Sequence, residues 1–275
     1  MLCTSNPCGE VPTIRNGSCC LGSVNLTKFF NEEFENNFDH FTFEATIRTA
    51  MRFLDNILDL NYYPHVDIKN TALKYRQVGL GVMGLADLFI LNDFKYGDHD
   101  SLNLTEQIFS FLKNKAYEES EHLAEERGKL KGYSEVNRRN ITCLSIAPTG
   151  SLSRIANVSP GIEPNFAVET SSLIIDKKLD HKHPLADRST FISAIDISYQ
   201  DKIKLISVAQ QYVDSGISNT CNLPNNTTVE NIVDGINLAY KSGLKGITFY
   251  RDGSRKRQQI VDKTRKQHSK EQPDV

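Results

Sequence analysis

Residues 79–91 read GLGVMGLADLFIL, and the reading of this stretch decides the fold. Gly79, Gly81 and Gly84 satisfy the spacing G-x-G-x-x-G literally, and Asp98 and Asp100 follow near the distance of a ribose-binding acid. Taken that way, the chain would carry a doubly wound dinucleotide-binding sheet. The fingerprint needs a hydrophobic strand immediately ahead of it, and residues 70–77 (NTALKYRQ) are mostly polar. Close packing explains the glycines better, because a segment without Cβ atoms can run hard against its neighbours. The stretch is therefore expected to be buried backbone of an α/β protein, not a cofactor cradle.

Working outward, Ile47, Met51, Leu54 and Leu58 recur at helical spacing and predict an amphipathic helix over 44–58. Residues 104–127, rich in Glu, Lys and Ala, predict a long helix with Gly128 as its stop. NITCLSI (140–146) reads as a buried strand and APTGSLS (147–153) as the turn after it. Further helices are expected over 202–215 and 229–241, and a late strand at GITFY (246–250). Single apolar strands alternating with helices give an α/β class. Residues 256–275 form a Lys/Arg-rich polar tail, expected to be solvated and disordered.

With 32 Lys+Arg against 34 Asp+Glu the net charge is −2, so there is no electrostatic reason to expect a nucleic-acid partner. No run approaches the roughly 18 apolar residues of a membrane span. The start, MLCTSNPCGE, lacks the apolar centre of a signal peptide, so the cytoplasm is the expected compartment. In a reducing compartment, the cysteines crowding the first 20 residues (Cys3, Cys8, Cys19, Cys20) point to redox or metal chemistry rather than a structural disulfide. None of their spacings is the C-x2-C of a zinc knuckle. His181 and His183 are read as exposed polar residues, not metal ligands.

Two stretches can carry chemistry. In NPCGE (6–10), Asn6, Cys8 and Glu10 alternate, and in extended backbone they would share one face. An amide, a thiol and a carboxylate together suit radical chemistry on a sugar: a thiyl radical takes and returns a carbon-bound hydrogen, the carboxylate accepts a hydroxyl proton, and the amide holds a neighbouring hydroxyl. A cysteine buried in a turn beside a surface glutamate fits the same letters. In APTGSLS, Gly150 lets the backbone approach a ligand, and the amides of 149–152 with the hydroxyls of Thr149, Ser151 and Ser153 can cradle an anion. An ordinary strand-to-helix turn explains that stretch equally well.

NPCGE, SCCLGSVNL (18–26), RFLDNILDLNYYP (52–64), GLGVMGLADL (79–88), IAPTGSLS (146–153), GIEPNFA (161–167), NLPNNTTVE (222–230) and GITFYRDGSR (246–255) together, and in this order, resemble ribonucleotide reductase catalytic subunits. The resemblance covers nearly all of the chain up to Arg255. It implies that Cys8 carries the transient thiyl radical, that Glu10 is the general base on the 3′-hydroxyl and that Asn6 orients substrate. It makes Cys19 one half of the dithiol that ends as a disulfide. Cys20 stands where relatives often have Asn; adjacent cysteines rarely meet disulfide geometry, so it is read as packing. Thr149, Gly150, Ser151, Leu152 and Ser153 match the substrate-phosphate turn, and Pro148, Gly161, Ile162 and Glu163 are expected to line the same mouth.

The resemblance also implies a fold, a cofactor and partners. The fold is the C-terminal half of a ten-stranded α/β barrel, incomplete alone, over residues 1–255. Relatives that receive their radical from a metal subunit carry two consecutive tyrosines where this chain has Tyr250-Arg251. The FYRDGSR form resembles the adenosylcobalamin-dependent class instead. Implied partners are a ribonucleotide, expected as the diphosphate, a thioredoxin-like or dithiol reductant, the N-terminal half of the reductase, and a homodimer of the complete enzyme. The chain is accordingly expected to be a fragment or one product of a split gene, inactive alone. A metal-subunit-dependent fragment and a non-catalytic remnant are the alternatives.

Overall fold

In chain order the elements are β1 (Thr4–Ser5), β2 (Pro12–Thr13), β3 (Leu21–Asn25), α1 (His40–Leu60), α2 (Val66–Tyr75), β4 (Gly79–Met83), α3 (Leu85–Leu91) and α4 (His99–Arg127). Then come α5 (Gly150–Ala156), β5 (Glu169–Ile174), β6 (Lys177–Lys182), α6 (Tyr199–Gln210), β7 (Thr220–Leu223), α7 (Val229–Lys241), β8 (Thr248–Arg251) and β9 (Ile260–Asp262). The structure, a computed structural model, describes residues 2–174, 177–255, 260–262 and 264.

Parallel staves form the frame. β3 pairs with β4 from Leu21 opposite Gly79 to Asn25 opposite Met83. Across β4, Leu80 bridges to Leu144, and Ile146 bridges to Ile217, both parallel. Backbone bonds from Ser145 N to Leu80 O (3.1 Å) and Ser218 N to Ile146 O (2.9 Å) extend these bridges. The chain then runs into β7, which pairs in parallel with β8. Five staves thus follow one another: β3, β4, residues 142–146, residues 215–223 and β8. β3 and β8 are open edges, so no barrel closes among the described residues. The expected α/β class with parallel strands is present, and five staves with open edges do not by themselves show the ten-stranded barrel of which half was expected.

The glycines of β4 act as packing devices. A Cβ on Gly79 would stand 2.5 Å from Ser145 Cβ, and one on Gly81 would stand 2.4 Å from Ser145 O. Gly84, at φ +80°, turns the chain into α3, and Asp98 is the N-cap of α4, not a ribose ligand. NITCLSI is a stave held through single bridges rather than a regular strand. α6 stops before the expected end, because Gln210 Nε2 donates to Val213 O (3.1 Å) and Ser215 O (3.0 Å) and folds the chain back towards the fourth stave. The predicted helices over 44–58, 104–127 and 229–241 appear as α1, α4 and α7, with Gly128 at φ +95° ending α4.

α1 buries Phe43, Ile47, Met51, Leu54 and Leu58, the stripe expected of an amphipathic helix, and packs on β3, β4 and α4. Within that stripe lies the fully buried Asp55. It accepts from Arg76 Nε (2.8 Å), Arg139 Nε (2.8 Å), Arg127 Nη1 (3.1 Å) and Asn140 Nδ2 (3.2 Å), locking α1 to the entrances of the second and third staves. Burial alone would raise its pKa, but the hydrogen bonds from Arg76 and Arg139 hold the carboxyl below the ordinary range. Of the polar tail, Ile260–Asp262 pairs antiparallel with β5, and residues 256–259, 263 and 265–275 lie outside the described residues. No helix among the described residues is long and apolar enough to cross a membrane.

Candidate active site

β1 and β2 form a two-stranded antiparallel hairpin whose tip is NPCGEV. The tip is a turn and not extended backbone: Gly9, at φ +81°, donates its N–H to Asn6 O at 3.1 Å. The face-sharing expected from alternation therefore does not apply, and the turn sends each group its own way. Asn6 Oδ1 accepts from Val11 N (2.9 Å) and closes the tip. Cys8 is exposed, whereas Glu10 is only 2% exposed.

The tip is seated on the staves. Glu10 O accepts from Ser145 Oγ at 2.7 Å and from Gly216 N at 2.8 Å, on the third and fourth staves. Gln77, just before β4, donates Nε2 to Pro12 O (3.0 Å) and accepts from Thr13 Oγ1 (3.1 Å). A Cβ on Gly216 would stand 2.7 Å from Gly9 O, so only glycine lets the hairpin lie this close.

Cys8, Glu10 and Cys19 form one electrostatic neighbourhood. Partial burial and then the charge of Glu10 push the Cys8 thiol up. Burial, Glu10 and then Cys8 do the same to Cys19. Both thiols therefore keep their S–H near neutral pH, the form from which a hydrogen atom, rather than a thiolate pair, is given up. Glu10 Oε2 is buried without a hydrogen-bond partner among the described residues. Cys20 points the other way: buried, with its thiol on Leu54 O at 3.6 Å and pushed up to about 11 by burial, it is packing, as expected.

The second stretch follows the third stave. Thr149, at φ +54°, starts α5, and its hydroxyl accepts from Gly161 N at 2.8 Å. Gly150, Ser151 and Leu152 are exposed in the first helical turn, where backbone N–H groups have no helical partner. Ser153 is buried and donates its N–H to Thr149 O (2.8 Å). Of this turn, the 150–152 backbone and Ser151 are open to solvent, whereas Thr149 and Ser153 are buried. Pro148 is half-buried beside it, and Gly161 packs on the Ala147 carbonyl. Ile162 does not line the mouth: its side chain is fully buried in the core and its carbonyl accepts from Tyr96 OH (2.8 Å). Glu163 Oε1 accepts from Thr220 N on β7 at 3.0 Å, and desolvation pushes its carboxyl up to about 7.

A family model, ribonucleotide reductase barrel domain, matches residues 1–139 and 174–250. The chain belongs to the ribonucleotide reductase barrel-domain family. A vitamin B12-dependent ribonucleoside-diphosphate reductase of Thermoplasma acidophilum is 32% identical over 99% of this chain, and the match covers 40% of that protein. Its namesake in Mycobacterium tuberculosis is 31% identical over 92% of this chain and is covered over 42% of its length. The alpha subunit of the Helicobacter pylori ribonucleoside-diphosphate reductase is 27% identical over 86% of the chain. The chain thus spans less than half the length of these relatives.

Within this reductase domain, Arg251 lies at the end of β8 and donates Nη1 to Asn225 O (3.0 Å), bracing the turn after β7. His183 departs from expectation. It is buried against Phe191 with Nε2 3.3 Å from Asp87 Oδ2, because Asp87, Ser159 and Asn165 form a buried polar cluster there. His181 is exposed, on Asn157 Oδ1. No His/Cys/Asp/Glu group that could hold a metal ion occurs among the described residues. Gln77, Ser145, Gly216 and Thr220 escaped the sequence reading. Ser145 and Glu10 are 135 residues apart, and nothing local in either segment signals their contact.

Proposed function

We propose that the chain is the C-terminal half of the catalytic barrel of an adenosylcobalamin-dependent ribonucleoside-diphosphate reductase. The observation that carries this reading is the seated hairpin tip: an exposed thiol beside a buried carboxylate that has one unpartnered oxygen. Cys8, held as the thiol, gives up a hydrogen atom to become the thiyl radical and then takes the 3′-hydrogen of the ribose. Glu10 Oε2, without a hydrogen-bond partner among the described residues, accepts the 3′-hydroxyl proton. Asn6, with its oxygen fixed by Val11 N, presents its amide N–H groups to a neighbouring hydroxyl. Cys19 supplies one thiol to the 2′-reduction, and its partner thiol comes from the part of the reductase outside this chain. Thr149 through Ser153 hold the phosphates at the start of α5, with Thr149 and Ser153 shaping the turn and the amides of 150–152 making the contacts.

Adenosylcobalamin, when bound, supplies a carbon–cobalt bond whose homolysis provides the radical. The residues fit such a source: Cys8 is exposed to a group arriving from outside the hairpin. Arg251, tied to Asn225 O, stands in the sequence where the resemblance puts the second tyrosine of a relay, which supports a radical source other than a metal subunit. Five parallel staves with two open edges support an obligate pairing with a second half-barrel, since unpaired strand edges leave backbone groups unsatisfied. A thioredoxin-like or dithiol reductant and a homodimer of the whole enzyme complete the reading.

The test is reconstitution of the chain with the remaining reductase half, adenosylcobalamin, a ribonucleoside diphosphate and a dithiol. Deoxyribonucleotide should form, and Cys8→Ser should abolish turnover while leaving substrate affinity within about 3-fold. Turnover that survives Cys8→Ser places the radical elsewhere.

A further inference from the structure

The helices outside the staves form a row, and among the described residues both ends of that row carry a bare apolar flank. α1 joins β3 to β4, α4 leads to the third stave, α6 leads to the fourth, and α7 joins β7 to β8. α1 packs on α4, α4 on α6, and α6 on α7. α1 and α7 therefore stand beside the two open edges, β3 and β8.

Three lines of side chains run along α7. Gly235 and Ala239 are buried, and a Cβ on Gly235 would meet Phe249 of β8 (2.6 Å) and Tyr199 of α6 (3.4 Å). Glu230, Asp234, Asn237 and Lys241 form the polar solvent face. Between them run Val229, Val233, Ile236 and Tyr240 at helical spacing, all exposed, with Tyr240 at 84%. α6 leaves this line uncovered, so it marks the flank on which α7 has no helix beside it. α1 repeats the arrangement at the other end. Arg48 and Arg52 leave its buried stripe on one side and pair with Glu118, Glu119 and Glu126 of α4. Phe53 (63% exposed) and Leu60 (85%) leave it on the other side, with the half-buried Ile57 between them. Scattered exposed apolar side chains are ordinary, whereas lines of them at helical spacing mark a contact face. An outer helix of a closed barrel packs between two others, and α1 and α7 each lack one. The curated relatives hold more than twice the length of this chain, enough to supply both missing neighbours.

We propose that the Phe53–Leu60 flank of α1 and the Val229–Tyr240 flank of α7 are seats for two helices of the remaining reductase half, which closes the helix layer at both ends. The inference rests on the half-barrel reading and adds to it the side chains through which the halves grip. Strand edges supply backbone pairing, and these flanks supply the apolar burial.

The test is co-expression of the chain with the remaining reductase half, followed by dilution of the purified complex with Kd read by sedimentation. Phe53→Glu and Ile236→Glu each put a charge into one apolar contact and should raise Kd by about 30-fold or more, the scale of a central anchor. Asn237→Glu, on the polar face of α7, should stay within about 3-fold. All three positions are exposed, so the urea midpoint of the chain alone should not move in any variant, and lost affinity is then a lost contact. Parental Kd in either apolar-flank variant overturns the proposal, as does a parental chain that does not co-purify with the other half. So does a chain that dimerises alone through these flanks, with the dimer dissolved by both Phe53→Glu and Ile236→Glu. A complex that assembles but makes no deoxyribonucleotide with adenosylcobalamin, a ribonucleoside diphosphate and a dithiol fails the catalytic reading, and the Kd values still decide the interface.

Discussion

Replacing Gly216 by alanine puts a methyl group where two backbone segments already touch. The new Cβ would stand 2.7 Å from Gly9 O, 3.0 Å from Glu10 Cα and 3.3 Å from Glu10 O, whereas ordinary contact begins at 3.4 Å. All three neighbours are backbone, so no rotamer change relieves the clash, and the hairpin tip must retreat by about 0.7 Å. That retreat stretches the Gly216 N–Glu10 O bond from 2.8 Å and the Ser145 Oγ–Glu10 O bond from 2.7 Å to the limit of useful geometry. Two weakened hydrogen bonds at about 1 kcal/mol each, with modest overpacking, put the loss of stability at about 2–3 kcal/mol. Catalysis should suffer more. A displacement of this size at the reacting group costs on the order of 10²-fold in rate. Turnover of Gly216→Ala in the reconstituted reductase, beside urea denaturation of the chain, measures both. Gly246→Ala is the control, because a Cβ there meets nothing within 4 Å. If Gly216→Ala turns over at the parental rate, then seating on the fourth stave does not place Cys8 and Glu10.

Asp55→Ala should be among the most damaging single changes outside the site. It strips a fully buried carboxylate from Arg76, Arg139 and Arg127 and leaves the buried Arg76, among the described residues, with only Asp59 as an anionic partner, so a loss of about 3–5 kcal/mol in urea unfolding is expected. A loss below about 1 kcal/mol refutes the clamp. Glu163 gives the chain a pH signature. Its carboxyl is raised from 4.5 to about 7, so between these values the folded chain holds a proton that the unfolded chain has released. The stability associated with that proton is full below pH 4.5 and is lost as pH rises through about 7. Unfolding free energies measured from pH 4.5 to 8 should therefore fall across this window, and Glu163→Gln should flatten that part of the profile; an identical slope in the variant assigns the titration elsewhere.

Much of the fold was legible because its signals are local. The apolar stripe Ile47, Met51, Leu54, Leu58 repeats within one helix, and Gly128 stops α4 for reasons contained in its own φ. The G-x-G-x-x-G letters were rightly set aside for want of a strand before them, and Ser145 turned out to be the neighbour that the glycines admit. Local reasoning failed where a residue's surroundings come from elsewhere. Ile162 and His183 looked like rim and surface residues, but one joins the main core and the other a buried cluster around Asp87, 96 residues away in sequence for His183. The tip NPCGE was open between turn and extended backbone until Gly9 adopted positive φ.

The sequence by itself determined the chemistry available: a thiol, a carboxylate and an amide in five residues, a Gly-centred turn, and the motif order that marks a reductase barrel. Residue identity carries those, because a thiol is a thiol wherever it lies. Only the tertiary structure decided which groups face one another. The Glu10 carbonyl is held by Ser145 and Gly216, Cys8 remains open, and Glu163 joins the loop after α5 to β7. Distances between segments more than fifty residues apart are set by the packing of the staves and helices between them. No short pattern in either segment records them.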